Sequence, residues 1–420
     1  SQGGGSPQTL PPHSFLRRFN SVAWTHAMDS KRCRRAAEGL DNEIDQGEVQ
    51  IVEKQDWLRL FVQLGLFARV WPEERVLLAL RVCTWMQKET LTLVDTVRVI
   101  AIPKANVNAV QVGWTLMNLR KHYVALVCQS PLITTCLLDG LTGAATMGFG
   151  SRLVELNFSR ANLQLFGART AAKSIRGQCT ALTHLDLQAN HIGDAGLQAW
   201  AAVLAENTKL HHLVLSENGV SAVGLRSVAA EMRGPRLLRH LDVSRNNLGD
   251  EGTVSVASLL SSSSAHLTSL NLSSTKLADT TAALGDALGK CTALRHLDLG
   301  QNTLRGWGMQ RLAAGLRFCQ CLEFLELGPN ALGPAGGTQL AEVLAHTPAL
   351  THLSLCENRV AVAGALSCFG ALGGCTGLRS LILSGNGIVG AAVSALADGL
   401  EQCSSLRRLA MLGESDVGPE

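Results

Sequence analysis

Leucines recur along the chain in the frame L-x-x-L-x-L-x-x-N, and the frame returns every 28 residues. Its blocks read LTHLDLQAN from Leu182, LHHLVLSEN from Leu210, LRHLDVSRN from Leu238 and LRHLDLGQN from Leu294. They continue as LEFLELGPN from Leu322, LTHLSLCEN from Leu350 and LRSLILSGN from Leu378. Asn190, Asn218, Asn246, Asn302, Asn330, Asn358 and Asn386 thus form a ladder with one 56-residue gap. Inside the gap, LTSLNLSST from Leu267 keeps the leucines and places Thr275 at the asparagine position. LVELNFSRA from Leu153 and LRRLAMLGE from Leu406 open and close the series, which makes ten blocks.

Alternating leucines such as Leu185 and Leu187 predict a short strand with one face inward. Asparagine carries two donors and an acceptor on one short side chain, which suits the bend that leaves such a strand. A glycine follows, and the apolar spacing then turns helical, as in Leu197, Trp200, Ala201 and Leu204. Each unit therefore predicts strand, turn, helix, turn. A single unit of this size cannot bury enough surface to order itself. Neighbours must stack into a curved solenoid, with a parallel sheet on the concave side and helices on the convex side. Thr275 has only a hydroxyl, so a local irregularity is expected there; around it the spacing runs 29 and then 27 residues.

Residues 153–412 resemble the leucine-rich repeat family, and the period resembles its ribonuclease-inhibitor-like subclass. The resemblance implies an α/β leucine-rich repeat solenoid and protein recognition through the concave face. Members of this class serve as inhibitors, sensors, GTPase activators and structural subunits, so it names no single function.

The expected domains are a basic, Gly/Pro-rich extended arm at 1–47 and an α-helical domain at 48–150. A solenoid of about nine full repeats plus a closing strand then spans 151–412, with a tail at 413–420. The helical expectation rests on Ile51, Trp57, Leu58, Phe61 and Leu64, on a helical pattern from Glu73 to Ile100, and on segments after Pro103 and Pro131. Trp57, Trp85 and Trp114 recur at 28 and 29 residues, either by coincidence or as a helical repeat. Such a domain would cap the first repeat, which otherwise exposes a sheet edge. The polar ending MLGESDVGPE is a weak cap for the other end, leaving that end to a partner.

The positions between leucines predict the binding surface. His184, His212, His240, His296, Phe324 and His352 precede the second leucine, with Arg408 in the last block. Asp186, Asp242, Asp298, Glu326 and Ile382 follow it. With strands ~4.8 Å apart these make two parallel ladders. The carboxylates are expected to leave the imidazoles in mixed protonation near neutral pH. A metal needs three or four converging ligands, which flat ladders supply poorly, so no metal is assigned. The face turns apolar and basic toward Phe324, Ile382, Ala410 and Arg408, the better footprint for a partner.

Composition narrows the rest. The 420 residues are 46% hydrophobic and 17% charged, which excludes a largely disordered chain. With 37 Lys+Arg against 34 Asp+Glu, no bulk charge drives nucleic-acid or membrane binding. No uninterrupted apolar run is long enough for a membrane span. Cys179, Cys291, Cys319, Cys375 and Cys403 each precede a repeat-opening leucine by three residues, as small turn fillers. Free thiols there would suit a reducing, intracellular compartment, cytoplasmic or, after removal of a presequence, mitochondrial or otherwise organellar. GDALGKC has the wrong glycine spacing for a phosphate loop, and no nucleophile–base pairing emerges, so no catalytic residue, cofactor or small-molecule substrate is assigned.

The leading expectation is a non-catalytic scaffold, a structural subunit that binds other protein subunits through the solenoid and the arm. An organellar RNA-binding or ribosome-associated subunit is the alternative, with Arg17, Arg18, Arg32, Arg34 and Arg35 meeting phosphates. A Ran-type GTPase activator is the third class, and the typical acidic tail of that class is missing from DVGPE.

Overall fold

The computed structural model describes residues 96–101, 123–128 and 150–412, apart from 233, 235 and 280. The chain divides into two compact units, 1–93 and 94–420, and the described residues all belong to the second. Its sheet is fully parallel and runs in chain order. Strands β1 (Thr96–Ala101) and β2 (Tyr123–Cys128) begin it. Ten more follow: β3 (Leu153–Asn157), β4 (His184–Asp186), β5 (His212–Val214), β6 (His240–Asp242), β7 (Ser269–Asn271), β8 (His296–Asp298), β9 (Phe324–Glu326), β10 (His352–Ser354), β11 (Ser380–Ile382) and β12 (Arg408–Ala410).

The ten leucine blocks are therefore ten strands. The helical expectation over 48–150 is corrected at two places. Residues 96–100, expected at the end of a helix, are strand, and so is 123–128; the first is rich in β-branched residues and the second carries Tyr123, Val124 and Val127, which favour the extended backbone. The other residues of 48–149, like 1–47 and 413–420, lie outside the described residues.

Helices join successive strands from β3 onward. They are α1 (Gln164–Ile175), α2 (Gly193–Glu206), α3 (Ala222–Glu231), α4 (Gly249–Ser263), α5 (Ala282–Leu288), α6 (Arg305–Leu316), α7 (Gly333–His346), α8 (Ala361–Gly370) and α9 (Ala391–Leu400). Leu156, Leu185, Leu213, Leu241, Leu270, Leu297, Leu325, Leu353 and Leu381 stand in register across the sheet. Together with inward helix residues such as Leu197, Trp200 and Leu312 they form one continuous core. Helices pack 8–10 Å apart while strands need only ~4.8 Å, which curves the stack with the sheet inside.

The asparagines stack as expected, buried in one row. Asn218 donates through Nδ2 to the carbonyls of Leu187 and Leu215, at 2.8 and 3.0 Å. Its Oδ1 accepts from the backbone N–H of Asn190 at 3.1 Å. These bonds hold a bend in which Ala189, Glu217, Arg245, Gln301 and Glu357, each just before an asparagine, adopt left-handed backbone. At Thr275 the hydroxyl donates to Leu272 O, and no amide oxygen is present to accept from the preceding repeat. The extra residue of that repeat is absorbed in α4, the longest of the nine described α-helices, and the missing one in α5, the shortest of them.

Gly285 and Gly289 of GDALGKC belong to α5 and its C-terminus, not to a phosphate loop. A Cβ on Gly285 would run into the carbonyl of Arg311 on α6, and one on Gly315 into the carbonyl of Gly285. Bare backbone is what lets these two helices approach.

Candidate functional site

Each three-residue strand from β4 to β11 buries its central leucine and turns the residues on either side toward the open face of the sheet. The rings before that leucine form a stacked row. His184 and His212 lie 5.5 Å apart between centroids, and His212 and His240 stack at 4.2 Å. Ser269 interrupts the row. It resumes with His296 stacked on Phe324 at 4.1 Å and Phe324 tilted to His352 at 5.9 Å. Nδ1 of His184 and of His352 each pairs with the hydroxyl of the preceding threonine, Thr183 and Thr351.

The acidic row does different work. Asp186, Asp242, Asp298 and Glu326 each accept the backbone N–H two residues on, from Gln188, Ser244, Gly300 and Gly328, all at 2.9 Å. One oxygen of every carboxylate is thus committed to closing the turn. Asp186 also accepts from the Asn157 amide at 3.1 Å. Burial raises the carboxyls of Asp186 and Glu326, against these hydrogen bonds.

The expected mixed protonation of the histidines is corrected. Burial pushes the His212 imidazole down to about 4, with His240 and His184 adding repulsion and Val214, not a carboxylate, following it on its strand. Burial also holds His240 and His296 below the ordinary range and outweighs Asp242 and Asp298. At neutral pH these three rings are uncharged. Among the described residues no group of three His, Cys, Asp or Glu side chains is placed to hold a metal ion.

Ile382 is half-buried on β11, and Arg408 is exposed on β12. The arm arginines 17, 18, 32, 34 and 35 lie outside the described residues. The sequence reasoning passed over the position directly after each opening leucine. There Arg239, Arg295, Arg379 and Arg407 are all exposed, and their recurrence in the frame was the available signal. It also missed a groove of about 620 Å³ along the turns, lined by Gln301, Pro329, Ala331, Glu357 and Arg359. The register cysteines are free: Cys179, Cys291, Cys319, Cys375 and Cys403 are buried, with Sγ of Cys319, Cys375 and Cys403 against carbonyls of the preceding repeat.

A family model described as "Leucine Rich repeat" matches residues 178–199, 206–229, 234–257 and 263–281, the same blocks that supply β4 to β7. The matched segments are leucine-rich repeats. No curated protein sequence matches this leucine-rich repeat chain. Among solved structures, an internalin from Listeria monocytogenes aligns with a TM-score of 0.49 at 17% identity, over 84% of this chain and 97% of its own. A TLR13–ssRNA13 complex aligns at 0.38 and 17%, over 77% of this chain and 54% of its own. The plant peptide hormone receptor RGFR1 in complex with RGF2 aligns at 0.34 and 17%, over 71% and 56%. Among the described residues no helix of this leucine-rich repeat protein is long and apolar enough to cross a membrane.

Proposed function

We propose that the protein is a non-catalytic interaction scaffold, a structural subunit of a larger assembly that binds other proteins through the open face of its repeat sheet. The observation that carries this reading is the ring row from His184 to His352, interrupted only at Ser269, which stands half-buried and uncharged at neutral pH at its three central histidines. Flat, weakly charged aromatic surface suits protein side chains, whereas a phosphate backbone calls for cations along its track. The acids beside the rings are half spent on backbone turns, which supports a shaped surface in preference to acid–base chemistry. The 28-residue period with a helix in each unit supports the ribonuclease-inhibitor-like subclass.

The test is to isolate the native assembly with tagged full-length chain, wild type and H212E/F324E. Stoichiometric partners that are lost in the variant, with an unchanged melting temperature, are the expected result. Partners retained in full by the variant, or a substrate turned over by the purified chain alone, overturn the reading.

A further inference from the structure

The far end of the face has a chemistry the ring row lacks. Arg379 stands just before β11, and Arg407 and Arg408 enter β12, all three exposed. The backbone N–H groups of Arg407 and Arg408 both donate to the carbonyl of Arg379, at 2.9 and 3.0 Å, which fixes the three residues in one corner. None of them forms an ion pair with a described residue, whereas Arg245 and Arg295 are paired across strands with Glu217 and Glu323. Three arginines brought together by the backbone, with no ion-pair partner among the described residues, favour an anionic neighbour.

Among the described residues, the outer edge of β12 at the same corner is unpaired. In earlier repeats the carbonyl at the Arg379 position receives two N–H groups from the next strand; the carbonyl of Arg407 faces outward with no described strand beyond it. Likewise Leu383 donates its N–H to the carbonyl of Ala410, and the matching N–H of Met411 has no described acceptor. Leu409 is 45% exposed, while its counterpart Leu381 is 0% exposed.

Resting on the scaffold reading, we propose that this corner binds an acidic, extended segment of a partner protein. The segment pairs with the outer edge of β12, places carboxylates on Arg379, Arg407 and Arg408, and lays an apolar side chain on Leu409. Strand-edge donors and acceptors match a peptide backbone, and a phosphodiester backbone offers no donors to answer the carbonyl of Arg407. A second copy of this chain would bring its own arginines to the same edge, so like charges oppose self-pairing.

The experiment measures fluorescence anisotropy of a labelled dodecapeptide of alternating Glu and Val against the full-length chain. Saturable, salt-sensitive binding is expected, weakened about tenfold or more by R379E/R407E/R408E at unchanged melting temperature. N-methylation of alternate peptide nitrogens, which keeps the charges and blocks strand pairing, should weaken binding as well. A companion variant, E414Q/D416N/E420Q, neutralises the acids that follow β12 in sequence and should bind the probe at least as tightly. Absence of binding by both the wild type and this companion overturns the proposal, as does undiminished binding by the triple reversal or of the methylated peptide. Tighter binding of an oligouridylate than of the peptide, lost on the same reversal, also overturns it in favour of nucleic acid. A wild-type dimer that the reversal dissociates overturns it in favour of a second copy. F324A should leave probe binding intact, so failure at this corner is distinguishable from failure of the ring row as a partner surface.

Discussion

The backbone N–H of Asn190 donates to the side-chain oxygen of Asn218 at 3.1 Å, and Asn218 in turn donates from its own N–H to Asn246, also at 3.1 Å. These repeats are thereby latched one to the next by a buried side chain. In Asn218→Ala the N–H of Asn190 loses its partner inside the core, and the carbonyls of Leu187 and Leu215 each lose one of their two asparagine donors, keeping only Asn190 and Asn246. The expected cost is about 3 kcal/mol, read as a lowered urea midpoint with the slope retained.

Thr275 is the rung where the latch is missing. An asparagine there would offer Oδ1 to the N–H of Asn246, restoring the bond that Asn218 gives to Asn190. Thr275→Asn is expected to stabilise the protein by about 1 kcal/mol, measured as a raised melting temperature.

The His212 imidazole, ordinarily at 6.5, is held down to about 4 in the folded protein. Above 6.5 it is neutral whether folded or unfolded and has no effect. Between 6.5 and 4 the unfolded chain takes up the proton first, so stability falls as the solution is acidified through this window. Asp186 and Glu326, whose carboxyls are raised above their ordinary 3.8 and 4.5, act with the opposite sign, adding stability as the solution is acidified toward those values. His212→Gln should flatten the acid-side loss of stability in urea titrations from pH 7 to 4, and NMR titration of the wild-type ring should place its midpoint well below 6.

The repeat frame was legible because leucine and asparagine hold fixed places in seven blocks, and even Thr275 was marked by the leucines around it. β1 and β2 escaped because their core positions carry substitutes. Leu126 aligns with Leu156, and Val99 aligns with Leu126, but Lys104 and Pro131 stand where asparagine belongs. A subtler signal was present: Trp114 follows Val99 by fifteen residues, the offset between the buried Trp200 and Leu185. The protonation of the ring row was misjudged because spacing alone does not show that the acids are engaged with backbone, or that burial outweighs them at His240.

Glycine has opposite meanings at two places. Gly315→Ala would press a methyl group into the carbonyl of Gly285, with backbone on both sides and no side chain to yield. A loss of about 2–4 kcal/mol is expected. Gly370→Ala, at the end of α8 with nothing within 4 Å, should be neutral or slightly stabilising in the same denaturation assay.

Thiol reactivity should follow burial. Burial pushes Cys179, Cys319 and Cys368 up to about 12 and Cys291 and Cys375 up to about 11, while Cys321 is exposed. Brief iodoacetamide treatment of the native protein, followed by peptide mass spectrometry, should label Cys321 well ahead of these five.

A coil whose turns are clasped one to the next behaves as a spring, sharing tension among its links until the weakest lets go. Between the turns ending at Asn246 and Thr275 one clasp is absent, so pulling the protein from its two ends should open it there first and release it in two lengths.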